Sequence, residues 1–166
     1  GDKSRQGFYK KIKVEGGKSE ILALDLKTLE YRPQQKVKFA TLEGTKGVDD
    51  LNKRMKMLFN GTDKAGEFYR TAFAGLFHYV SNRIPEIADE LYRVGSAMQS
   101  GFGWELGPFE TWDAVGVAEA VAIMEKNGIK PAAWVNEMLT SGMASFYRTH
   151  NGVREYYDIL SKNYKP

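Results

Sequence analysis

Glu105, Glu110 and Asp113 stand close together in the run Ser100–Asp113, SGFGWELGPFETWD. Carboxylates at such short spacing can act as a general acid and a general base. Near a helix start, however, they more often offset the positive end of the helix dipole from the surface. The glycines of the same run are spaced G-x-G-x-x-x-G, which superficially suggests a dinucleotide cradle. That cradle needs an apolar strand before the glycines and a helix N-terminus after them. Here helical periodicity precedes the glycines, so the required context is missing. His78 is expected on a polar helix face with Glu67, Thr71 and Ala74, and His150 precedes an Asn-Gly turn. Neither has a partner at a spacing that makes a base, a triad or a metal site, so no catalytic or metal-ligating residue is assigned.

The elements that must position this run follow from hydrophobic period and turn chemistry. Short β-prone stretches near Tyr9–Val14 and Glu20–Asp25 flank Gly16-Gly17 and read as a hairpin, which RPQQ at Arg32–Gln35 then interrupts. From Val48 the period becomes helical. A short helix ends at Asn60-Gly61. A longer one presents Phe68, Ala72, Phe73, Leu76, Phe77 and Val80 as its apolar stripe. The next is expected to open at Pro85, with Glu86, Asp89 and Glu90 at its positive end and Ile87, Leu91, Val94 and Met98 buried. Gly101 is expected to end it. Three more helices are predicted over 108–115, 117–126 and 131–140, before an aromatic hairpin around Asn151-Gly152. In this frame SGFGWELGPFETWD is a joint between two helices. Gly107-Pro108 opens the second, and Phe109 and Trp112 share its apolar face.

Composition limits the chemistry further. The 166 residues suit one domain with an appended arm, 42% hydrophobic and 27% charged. Without a single cysteine, disulfides, thiolate zinc sites and cysteine nucleophiles are excluded. No apolar run is long enough to span a bilayer. The opening GDKSRQGFYK has no initiator Met and no apolar signal segment, which leads us to expect a piece of a longer, cytoplasmic polypeptide. Asn60-Gly61-Thr62 matches a glycosylation acceptor, but only secretion would give the match meaning.

Charge is uneven. Residues 1–66 carry 15 Lys/Arg against 9 Asp/Glu, and residues 67–166 carry 9 against 12. A basic arm can meet an anion or an acidic neighbour. Its cations are spread singly among apolar residues, so a solvated face is favoured over nucleic acid.

SAMQSGFGWELGPFETWDAVG, Ser96–Gly116, closely resembles the helical C-terminal domain of 3-hydroxyacyl-CoA dehydrogenases of fatty-acid β-oxidation. RQGFYKK at Arg5–Lys11 is similar to the tail that closes one such domain, and SFYRTHNGVREYYD to the hairpin that closes a second. The resemblance implies a mainly α fold. This would be a multi-helix domain of the 6-phosphogluconate-dehydrogenase C-terminal type with small β-hairpins near both ends. Residues 1–45 would be a basic arm, the tail of a preceding domain or a linker, and residues 46–166 the helical domain.

The resemblance also implies NAD-dependent oxidation of a 3-hydroxyacyl-CoA by a longer chain fused to an enoyl-CoA hydratase. In that chain the cofactor and the proton-transfer pair belong to a Rossmann domain, so this segment itself binds no cofactor. Its implied partners are the sibling Rossmann and first helical domains, with homodimerisation left open, and acyl-CoA as substrate of the whole enzyme. Catalytic copies of the domain place an Asn and a later Glu on the first long helix, where this chain has Arg70 and Tyr79. It therefore resembles a second, non-catalytic copy. Its substrate-side joint would be Phe102, Trp104, Glu105, Gly107, Pro108 and Phe109. A stand-alone helical interaction module, its arm docked on an acidic protein, is the competing expectation.

Overall fold

The computed structural model describes residues 3, 4 and 7–166. Arg5 and Gln6, which carry part of the expected domain-closing tail, lie outside the described residues. The chain divides into two compact units, Gly1–Lys38 and Phe39–Pro166.

The first unit is a three-stranded antiparallel sheet in the order β1 (Tyr9–Lys13), β2 (Ser19–Leu24), β3 (Tyr31–Pro33). Gly16 and Gly17 take φ of +85° and +77°, and this positive-φ pair reverses the chain between β1 and β2. The third strand was not expected. It forms because the Asp25 carboxylate accepts the Lys27 and Thr28 amides and the Arg32 guanidinium, which turns the chain back. Pro33 is tolerated because it ends an edge strand.

The second unit holds seven helices and a second sheet: α1 (Ala40–Thr45), α2 (Leu51–Phe59), α3 (Lys64–Asn82), α4 (Leu91–Phe102), α5 (Pro108–Val115), α6 (Val117–Lys126) and α7 (Ala133–Thr140). The sheet is antiparallel, β4 (Tyr147–His150), β5 (Val153–Asp158), β6 (Asn163–Lys165). The unit begins at Phe39 because α1 belongs to it. Thr45 is buried, and the Thr41 amide donates to Asp63, the residue that caps α3. Among the described residues no helix is long and apolar enough to cross a membrane.

Three local expectations need correction. First, α4 starts at Leu91, not at Pro85, with extended Glu90 before it. Residues 85–90 form turns and bends, Ile87 is 68% exposed, and Glu86 pairs with Arg83 instead of facing a helix dipole. Second, α4 runs through Gly101 to Phe102 and is capped by Gly103. Gly103 takes φ +67°, and its amide returns to the Gln99 carbonyl. Third, α3 is rotated from its expected phase, so Phe68 is exposed and Ala74 buried. Gly66 explains the rotation. It lies so close to Gly61 that a Cβ on it would sit 2.0 Å from the Gly61 carbonyl oxygen.

The core is aromatic. Trp112 stacks on Phe77 with centroids 4.5 Å apart and planes 4° apart, and Phe109, Phe146 and Trp134 close around it. The Trp134 indole N–H reaches the Ser81 carbonyl at 3.0 Å, tying α7 to the end of α3. Together α3, α5, α7 and the second sheet hold the α4–α5 joint in place.

Candidate functional site

The joint separates into a wet half and a dry half. Phe102 is 76% exposed, Trp104 is partly exposed, and Glu105 is exposed. Gly107, Pro108 and Phe109 are buried. Trp104 and Glu105, with Leu106 and Thr111, form one bank of an apolar groove of ≈ 220 Å³. Leu51 and Met55 of α2 and Phe73 and Leu76 of α3 form the other. Of the six residues expected at the joint, Trp104 and Glu105 therefore meet a concave surface. Phe102 projects outside it, and the remaining three anchor α5.

That anchoring rests on a backbone contact. A Cβ on Gly107 would lie 2.6 Å from Gly95 Cα, so α4 and the start of α5 cross with no side chain between them. Glu110 then closes the helix start. Its Oε2 accepts the Gly107 amide at 2.6 Å and the Gln99 side-chain amide at 2.7 Å, while Oε1 accepts the Arg154 guanidinium. Glu110 does compensate a helix N-terminus as expected, but it is almost buried and not a surface group.

Asp113 departs further from the surface reading. Its two oxygens accept the Phe146 and Tyr147 amides at 2.7 and 2.9 Å, holding β4 against α5. Burial pushes its pKa up to about 7, against the pull of those two amides. The burial of neither carboxylate could be read in the sequence, because the Asp113 partners and the Arg154 partner of Glu110 lie 33 to 44 positions away. Glu105 has no place beside Glu110 or Asp113 in this network, so the three acids do not form an acid/base group.

The other candidates are also occupied. His78 Nδ1 is hydrogen-bonded to the Lys130 carbonyl at 2.5 Å, and its own carbonyl accepts the Asn82 side chain. His150 Nδ1 lies 3.5 Å from Glu155. Arg70 donates to the Phe59 carbonyl at 2.9 Å and to the Gly61 carbonyl, covering the carbonyl end of α2. Tyr79 is 59% exposed, with the Arg83 guanidinium 5.3 Å from its ring centroid. Among the described residues no group of three or more His, Cys, Asp or Glu is arranged to hold a metal ion.

Comparison with known proteins gives the chain relatives of one kind. It is 39% identical over 158 residues to a Bacillus subtilis protein named as a 3-hydroxyacyl-CoA dehydrogenase, covering 95% of this chain and 19% of that protein. It is 27% identical over 149 residues to a fatty acid oxidation complex trifunctional enzyme of Rickettsia prowazekii, covering 87% of this chain and 18% of that protein. The corresponding Rickettsia felis protein is 26% identical over 110 residues. No family model and no solved structure matches the chain. The chain spans about a fifth of the length of the curated relatives it matches, and is thus homologous to a fragment of 3-hydroxyacyl-CoA dehydrogenases of fatty-acid oxidation.

Proposed function

We propose that this chain is a helical segment of a β-oxidation enzyme, supporting the acyl-CoA cleft of an NAD-dependent 3-hydroxyacyl-CoA dehydrogenase without taking part in proton transfer. The observation that carries this reading is the state of Arg70 and Tyr79. Arg70 is engaged by the carbonyls of Phe59 and Gly61, and Tyr79 lies at the surface under Arg83. Both side chains serve the fold at the positions where a catalytic copy would hold its Asn and Glu. The apolar groove beside Trp104 offers the surface on which such support would act.

In this reading the second unit is a domain of the 6-phosphogluconate-dehydrogenase C-terminal type and the first unit the tail of the domain before it. The Rossmann domain, a first helical copy and an enoyl-CoA hydratase lie elsewhere in a cytoplasmic polypeptide. NAD binds there, since hydride transfer needs a cofactor held in register with substrate and base. The test is NADH formation, followed by absorbance, with a 3-hydroxyacyl-CoA and NAD. The isolated chain should give none while the full-length protein turns over. Turnover by the isolated chain that vanishes on His78→Ala or His150→Ala overturns the assignment.

A further inference from the structure

A second cavity, of ≈ 270 Å³, lies between α4 and the terminal sheet, apart from the groove at Trp104. Tyr92, Ser96 and Gln99 line it from α4, and Tyr147, Arg154 and Tyr156 from β4 and β5. Gly95 also lines it, and a Cβ there would stand 3.6 Å from the Tyr147 hydroxyl.

The side-chain charges of the lining are already matched. Glu110 accepts from Gly107, Gln99 and Arg154, and Glu155 accepts from Arg148. Each charged side chain named here already has an opposite charge beside it, so the lining offers an ion little unmatched charge. The hydroxyls, in contrast, are idle. Among the described residues, those of Tyr92, Ser96, Tyr147 and Tyr156 make no hydrogen bond to the protein. Arg154 lies 4.5 Å from the centroid of the Tyr147 ring and is 61% exposed, so its flat guanidinium forms part of the accessible wall. Tyr92 and Tyr156, with centroids 4.8 Å apart, form another part.

π-faced walls, matched side-chain charges and several free donor–acceptor hydroxyls favour an uncharged planar ring edged with hydrogen-bonding atoms. Size narrows the choice, since a cavity of about 150 Å³ accepts one benzene ring and this one is larger by about another ring. We infer that the α4–β5 cavity is a binding site for a purine-type base, stacked on the tyrosines and Arg154 and held at its edge by Ser96, Gln99 and Tyr147. Stacking on aromatic faces and on guanidinium planes is a general mode of base recognition. One carrier of this base, coenzyme A, belongs to the proposed chemistry, and free nucleosides are a second source. The inference itself rests on the cavity alone.

The test is titration of the isotope-labelled chain with adenosine, followed by amide chemical shifts, with uridine and ribose 5-phosphate as controls. Adenosine should give saturable shifts confined to α4, β4 and β5, and both controls should bind at least tenfold more weakly. Ser96→Trp, which plugs the exposed mouth, should weaken adenosine binding at least tenfold with an unchanged urea midpoint. Should that variant unfold, Tyr147→Phe and Gln99→Ala should each weaken binding several-fold. A parallel titration with coenzyme A identifies it as the carrier where it binds more tightly than adenosine. If it does not, the ligand is a free nucleoside. No saturable shift with adenosine, equal shifts with a control, or unaltered binding by the variants overturns the site. Because dehydrogenase turnover is not measured, such a result leaves the proposed function standing.

Discussion

Trp112 lies flat against Phe77, the two rings 4° from parallel and both wholly buried, so α5 and α3 meet through a single aromatic stack. Truncating Trp112 to Ala empties the centre of the core and should cost about 3–5 kcal/mol. The indole N–H has no partner among the described residues, so Trp112→Phe gives up no hydrogen bond and should cost much less. His78→Ala loses an exposed contact to the Lys130 carbonyl, a loss of about 0.5–1 kcal/mol. Urea denaturation of the three variants ranks them. A His78→Ala loss equal to that of Trp112→Ala would refute the picture of the core.

The two glycines of the α4–α5 crossing should respond in opposite ways. An added methyl on Gly107 meets Gly95 Cα at 2.6 Å, and backbone cannot step aside as a side chain can. Gly107→Ala should therefore destabilise by about 1–3 kcal/mol, the usual range for overpacking. A methyl on Gly95 finds its neighbours at 3.6 Å or more while removing a flexible residue from a helix interior. Gly95→Ala should be neutral or stabilise by up to about 1 kcal/mol. Thermal melts of the pair would expose an error if the signs came out alike.

Acid should first strengthen and then weaken the fold. Asp113 titrates near 3.8 when unfolded and near about 7 when folded, because burial penalises its charge. The folded chain therefore holds the proton more tightly. This contribution is complete below 3.8 and is lost as pH rises through about 7. Asp63 and Asp158 go the other way. The Thr41 amide at Asp63, and Lys165 and Ser161 at Asp158, lower each to about 2. Their support is present above 3.8 and disappears as pH falls toward 2. Stability should peak at about pH 4–5 and fall above it by up to about 1.4 kcal/mol per pH unit. Asp113→Asn should be less stable overall and should flatten that fall. Urea midpoints measured from acid to neutral pH decide it, and parallel curves for parent and variant would rule Asp113 out as the cause.

Placing at position 70 the Asn that the resemblance implies for catalytic copies should damage the fold without creating activity. Arg70→Asn cannot span to the Phe59 and Gly61 carbonyls, so α2 loses a charged hydrogen-bonding partner worth about 1.5–3 kcal/mol. Denaturation should show the loss, and the NADH assay should stay flat. Turnover appearing in this variant would mean that the remaining machinery is present.

What could be read in advance was what short-range chemistry dictates. Asn60-Gly61 and Asn127-Gly128 stop α2 and α6 where expected, and Asn151-Gly152 turns β4 into β5. The apolar stripe of α3 was legible at Phe73, Leu76, Phe77 and Val80, but its edge was not, because apolarity alone favours Phe68 over Ala74. The choice is made by Gly66 fitting against Gly61. Strands β3 and β6 are three residues each, too short for a period, and exist because a neighbour pairs with them. The start of α4 misled for another reason. Proline followed by acids is a good helix opening, yet Glu86 pairs with Arg83 and Glu90 with Arg93. At the joint, Trp104 and Glu105 do border a groove, but the roles of Glu110 and Asp113 depend on β4 and β5.

The carboxylate of Asp113 also determines how the second unit breathes. Phe146 and Tyr147 give their amides to it, and Tyr157 gives its own to the Phe146 carbonyl, so the first strand of the terminal sheet is latched on two sides. Exposing either of the first two amides means pulling β4 off α5 and uncovering Phe146, which is packed against Trp112. Small local openings cannot do this. In hydrogen exchange these two amides should therefore belong with the slowest protons of the core, and the terminal sheet and the helices should unfold as one cooperative unit.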